Sequence, residues 1–170
     1  MRLKEFTVED LKEIPKMSIS EYTKSVDFLA LYIQQEYGIY FKIPIVQSLH
    51  ESNVGNSKLA RNYCNLFGIT ATESWKKQNK PFVNMPTWEF VKGKRIELKR
   101  EFRVYPSWRS SFENWAEIIT QSKCYKKAYA LMRDKKTALN GIEEMAKVYA
   151  TDPNYAKKMI ALYKNLLKEF

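Results

Sequence analysis

The chain predicts an α+β fold, mainly α, in which one β-hairpin interrupts a run of helices. Three observations lead there. Apolar residues recur at helical spacing over most of the first half, the period switches to two near residues 86–105, and helical spacing resumes after Ser107. At 170 residues the chain suits a single domain with a real core.

Residues 1–20 are charged and mixed, which predicts an N-terminal extension or loosely packed arm before a domain spanning 21–170. From Glu21 to Tyr37 the apolar positions Tyr22, Val26, Leu29, Ile33 and Tyr37 mark a helix that Gly38 stops. A short helix follows from Pro44 to Glu51, with proline in its first turn. Gly55 then opens the chain, and Ser57 caps a third helix through Tyr63. The stretch 70–86 has no clean period and reads as loop. In "KRIELKREFRVY" the apolar Ile96, Leu98, Phe102 and Val104 alternate with charged residues, which is the pattern of a strand with one wet face. "PTWEFV", joined to it through Lys92-Gly93-Lys94, completes a hairpin, and Glu89 lies on the face opposite Trp88 and Phe90.

Beyond Ser107, the positions Trp108, Phe112, Trp115, Ala116 and Ile119 form an apolar stripe, so both tryptophans are assigned to the core. Helices follow over about 126–133 and 136–148. The last begins at Pro153 with Thr151 or Asp152 as cap, and turns Met159, Ile160, Tyr163 and Leu167 inward. There is no internal repeat.

Composition narrows the partners. A net charge of +10 points to an anionic one: nucleic acid, phospholipid headgroups or a polyanionic cell wall. The lysines are dispersed and no nucleic-acid-binding signature accompanies them, which weighs against nucleic acid. Cys64 and Cys124 are far apart and His50 is the only histidine, so neither a metal site nor another cofactor is predicted. The first residues lack the apolar segment of a secretory signal, and no run approaches membrane-spanning length. A soluble monomer is the expectation, with the 4 Trp, 11 Tyr and 9 Phe supplying both core and stacking surface.

Two carboxylates stand out. Glu51 closes an apolar helix (Ile43, Ile45, Val46, Leu49) and faces whatever groove the Gly55 turn leaves open. Desolvation there would keep it protonated near neutral pH, ready to donate to a leaving oxygen. Glu89, on a polar hairpin, would stay ionised as a base or electrostatic stabiliser. Carboxyls in opposed environments are what glycoside hydrolysis uses. His50, just before Glu51 on the helix, points elsewhere and reads as structural.

The segments "LHESNVGNSKLARNYCNLFGIT", "WEFVKGKRIELKREFRVYPSW" and "VYATDPNYAKKM" together resemble the glucosaminidase domain of glycoside hydrolase family 73, in that family's order over about residues 25–167. The family includes peptidoglycan-cleaving autolysins and a flagellar muramidase domain. The resemblance implies a lysozyme-like fold, with a helical lobe, an inserted hairpin lobe and a glycan groove between them. It places the general acid on Glu51, in a motif that departs from the family's Gly-Trp at Asn53-Val54. The second carboxylate falls on Glu89, and a substrate-contacting tyrosine on Tyr149 with Tyr155 nearby. Asn65, Phe67 and Trp88 are further candidate substrate contacts, against capping for Asn65 and packing for Phe67. The implied activity is cleavage of the β-1,4 bond after N-acetylglucosamine in peptidoglycan. Muramidase-type cleavage and a non-catalytic wall-binding module are the alternatives. Glu89 would activate water if the carboxyls stand about 6.5–9.5 Å apart, or only assist if the substrate's N-acetyl group attacks. A basic chain without a leader fits a phage lysin acting on the bacterial wall, or an enzyme whose leader was removed.

Overall fold

In the computed structural model, residues 6–169 are described. The helical pattern around Tyr22 becomes α2 (Ile19–Tyr37), opened by a reciprocal cap in which Ser18 and Glu21 satisfy each other's backbone N–H groups. Its inner face, Tyr22, Val26, Leu29, Ala30 and Ile33, is buried. Against it lies α3 (Lys42–Glu51), which is buried from Lys42 through Leu49 and emerges only at His50 and Glu51. A helix so enclosed is the axis of the domain, and it brings Glu51 to the surface at its C-terminal end, where the helix dipole opposes a carboxylate's charge.

Residues 6–20 correct the expectation of a loose arm. Thr7 caps α1 (Val8–Glu13), and Phe6, Leu11 and Met17 are buried in the main core. The Phe6 ring lies 5.0 Å from that of Trp108, and its carbonyl accepts from the Trp108 backbone. Arg61 donates to the carbonyls of Leu11 and Ile14 at the end of α1, satisfying groups the helix leaves open. The Asn56 side chain clasps both backbone groups of Met17 at 2.9 and 2.8 Å. Residues 1–5 of the expected arm lie outside the described residues.

After α3, the chain turns through Asn53, Val54 and Gly55, all at positive φ. A Cβ on Gly55 would fall 2.8 Å from the Tyr22 ring and 3.1 Å from Trp108, so only glycine fits there. Ser57 caps α4 (Lys58–Tyr63). The stretch read as loop contains α5 (Glu73–Lys77), capped by Thr72, and the first strand starts early: β1 is Phe82–Val91 and β2 Lys94–Arg103. The antiparallel register pairs Glu89 with Ile96 and Pro86 with Lys99. Pro86 is tolerated because a two-stranded sheet is all edge. Lys92 and Gly93 at φ 50° and 75° make the tight turn.

The rest is helical: α6 (Trp108–Gln121), a short 3₁₀ turn Lys123–Tyr125, then α7 (Lys126–Met132), α8 (Ala138–Tyr149) and α9 (Tyr155–Glu169). The stripe on α6 is buried as its spacing predicts, with Trp108 and Trp115 fully enclosed. The last helix starts two residues later than expected. Asp152 accepts from the Asn154 backbone and pairs with Lys158 at 2.6 Å instead of capping a helix at Pro153. α9 packs on α3 and α8, which carries Tyr155 beneath Glu51.

Candidate active site

A cavity of about 820 Å³ opens between the helical body and the hairpin. Glu51, His50, Trp88, Glu89, Tyr149 and Tyr155 all line it, so four elements distant in sequence converge on one groove.

Glu51 is half-buried where α3 surfaces. Burial pushes its carboxyl up to about 7, against the opposing effect of the Tyr155 hydroxyl, which donates to Oε1 at 2.5 Å. At neutral pH a large fraction of Glu51 therefore carries a proton. Burial, followed by the neighbouring Glu51, raises both Tyr149 and Tyr155 well above 10, so neither ionises in the working range. His50 corrects its structural reading: it borders the cavity and sets its ring edge-on to Tyr155 at 5.5 Å. Burial and Lys158 hold its pKa below 6.5.

The hairpin supplies the other wall. Glu89 shares a face with Thr87, Ile96, Leu98, Arg100 and Phe102 by the strand register. Only Phe102 of that face is buried, and Thr87, Glu89, Arg100 and Phe102 border the groove. Arg100 interrupts the apolar alternation of β2 and grips both oxygens of Glu89, through Nε to Oε1 and a terminal nitrogen to Oε2 at 2.8 Å. One guanidinium contact on each oxygen leaves the remaining lone pairs of the carboxylate open to the groove. Trp88 is 53% exposed, with the Arg95 guanidinium 4.6 Å from its ring centre.

The "NLFG" cluster serves the site from behind. Asn65 is buried, donates to the carbonyls of Ile69 and Arg103, and accepts from the Ile69 N–H. Phe67 is enclosed, stacked on Trp115 at 5.1 Å. Neither lines the cavity, so the structure does not bring these two expected contacts to the substrate side. They clamp a loop whose exposed element is Gly68, and Tyr149 locks it further by donating to the Phe67 carbonyl at 2.6 Å. Gly68 sits at φ +64°, where a Cβ would come within 3.5 Å of Glu51 Oε2. A bare backbone there keeps the approach to the acid open.

The sequence reading missed Gln47 and Arg100. Gln47 is fully buried and donates to the Tyr155 hydroxyl at 3.1 Å. Its position four residues before Glu51, on the same helical face, was the available signal. For Arg100 the signal was a charge at a position where the β2 alternation calls for an apolar residue.

The family model described as mannosyl-glycoprotein endo-beta-N-acetylglucosaminidase (Glucosaminidase) matches residues 29–168. The chain belongs to this glucosaminidase family. By family it is a glycoside hydrolase domain. It is 32% identical over 151 residues to an autolysin of Enterococcus faecalis, covering 85% of this chain and 20% of that one. It is 29% identical to the peptidoglycan hydrolase FlgJ of Salmonella typhimurium (84% and 46% covered), and 30% identical to the exo-glucosaminidase LytG of Bacillus subtilis (86% and 54%). The chain thus spans between a fifth and about half the length of these relatives. Among solved structures, the catalytic domain of the Listeria monocytogenes autolysin Auto superposes with a TM-score of 0.70 at 26% identity, covering 92% of this chain and 90% of that one. The truncated glycoside hydrolase domain of Salmonella FlgJ gives 0.67 at 26%, with 89% and 99% covered. The lysozyme-like architecture expected from the resemblance is thus the one observed.

Proposed function

We propose that this domain hydrolyses the glycan of peptidoglycan at the β-1,4 bond following N-acetylglucosamine, with Glu51 as general acid. The observation that carries the reading is the placement of Glu51: desolvated, held near neutrality and open to a groove that a second carboxylate borders. Glu51 protonates the leaving oxygen as oxocarbenium character develops on the sugar. Glu89, held by Arg100, presents negative charge across the groove and stabilises that cation, or orients water through the lone pairs that Arg100 leaves free. Tyr149 and Trp88 are the aromatic surfaces on which sugar rings rest. The relatives named as peptidoglycan hydrolase, autolysin and exo-glucosaminidase support the substrate. The +10 charge supports a polyanionic wall as the setting in which a monomeric domain works. Among the described residues no helix is long and apolar enough to cross a membrane.

Digestion of purified peptidoglycan by the wild type and by Glu51→Gln, with the product ends identified by mass spectrometry, tests this. Reducing N-acetylglucosamine ends that vanish in the variant are expected. Reducing N-acetylmuramic acid ends would move the cleavage to the other bond. Intact glycan that remains bound to the wild-type protein would make the domain a wall-binding module.

A further inference from the structure

Beneath Glu51 runs a line of buried polar groups whose direction is forced. The Trp115 indole N–H, fully buried, donates to Gln47 Oε1 at 2.8 Å. An indole nitrogen can only donate, so the Gln47 amide has one allowed orientation, with its nitrogen toward Tyr155. That nitrogen also only donates, and it reaches the Tyr155 hydroxyl oxygen at 3.1 Å. The hydroxyl proton, which must lie in the ring plane away from this incoming donor, points at Glu51 Oε1, 2.5 Å away. Gln47 and Tyr155 each have one partner in the line on either side, and both are buried.

We propose that Gln47 is a positioning residue which, through Tyr155, assigns the two oxygens of Glu51: Oε1 is held as an acceptor, and Oε2, beside the bare backbone of Gly68, carries the transferable proton. The inference rests on the reading of Glu51 as the acid and goes beyond it. A proton on Oε1 would face a hydroxyl hydrogen already directed at that atom, so it resides on Oε2. Oε2 borders Gly68 and both residues line the groove, so the proton is delivered on the substrate side. The line also steadies the ionised carboxylate left after transfer, because a hydroxyl that itself accepts a hydrogen bond is a stronger donor. Tyr149 from the end of α8 also faces Glu51, and it stays neutral across the range. His50, on α3, has Asp152 and Lys158 around it, and burial with Lys158 lowers its pKa.

The test uses Gln47→Met, which keeps the volume and removes both hydrogen bonds, with Tyr155→Phe and the double variant. The primary readout is the ¹³C titration of the Glu51 carboxyl, its signal assigned by its loss in Glu51→Gln. Thermal unfolding establishes that each variant is folded. In Gln47→Met the midpoint is expected to move up by about 0.5 pH unit or more, as a charge-stabilising donor weakens. The alkaline limb of kcat on a soluble glycan moves with it, while KM changes little. In Tyr155→Phe the midpoint moves at least as far, and adding Gln47→Met moves it no further, since Gln47 acts only through Tyr155. A wild-type midpoint in Gln47→Met overturns the proposal. So does a shift that adds in full on the Tyr155→Phe background. Should Gln47→Met not fold, Gln47→Leu removes the same two hydrogen bonds and is read in the same way. If Glu51→Gln cleaves glycan at the wild-type rate, the assignment of the acid falls, while the titration still decides the hydrogen-bond line.

Discussion

At the scale of single residues, the site depends on how much solvation Glu51 gives up. Its pKa of about 7 in the fold lies above the ordinary 4.5, so folding favours the neutral form. As pH rises from about 4.5 through 7, the native state must hold a buried charge that the unfolded chain solvates freely, and stability is lost over that window. The full cost, present above pH 7, is on the order of 3 kcal/mol. Glu51→Gln never carries the charge and keeps an acceptor for Tyr155. Its melting temperature should exceed that of the wild type at pH 8, and the two should converge near pH 4. A gap of equal size at both pH values would mean that burial of charge is not its origin. Glu51 itself was legible in the sequence, because an acid ending an apolar helix is conspicuous. The roles of Asn65 and Phe67 were not. Whether a side chain in "NLFG" faces sugar or core depends on Trp115 and Arg103, which come to it from elsewhere in the chain.

At the scale of elements, the hairpin is the least usual piece, with Trp88, Val91 and Ile96 at 53%, 45% and 40% exposure. A strand pair with so little burial is not there for the core. The alternation in β2 revealed the strand, yet it suggested one wet face and one buried face. The structure shows a face turned to the groove, with Arg100 and Glu89 paired on it. Hydrophobic alternation reports only that two faces differ, and a groove face reads like a core face. The early start of β1 and the five residues of α5 escaped notice because each spans only one or two periods and Pro86 reads as a breaker. If the hairpin serves substrate, Trp88→Ala should leave the melting temperature within the small range of surface substitutions. It should lower kcat/KM on glycan by about 2–10-fold, the scale of one aromatic contact. Unchanged kinetics would remove Trp88 from the binding surface.

At the scale of the whole molecule, the N-terminal segment and the active-site turn form one packed unit. Phe6 lies on Trp108, Trp108 on Tyr22, and the Gly55 turn against both rings. The polar composition of residues 1–20 hid this, since Phe6, Leu11 and Met17 are too widely spaced to form a stripe. Removing residues 1–17 should therefore destabilise the domain by about 3 kcal/mol or more in urea unfolding, the transfer energy of three buried side chains offset by ordering entropy. A loose arm would cost almost nothing.

The catalytic assignment of Glu51 is tested most directly by the pH dependence of kcat for wild type and Glu51→Gln on a soluble glycan. An alkaline limb near pH 7 is predicted for the wild type, with a loss of about 10²–10⁴-fold in the variant at every pH. A variant that retained the wild-type rate and the same limb would show that another group delivers the proton.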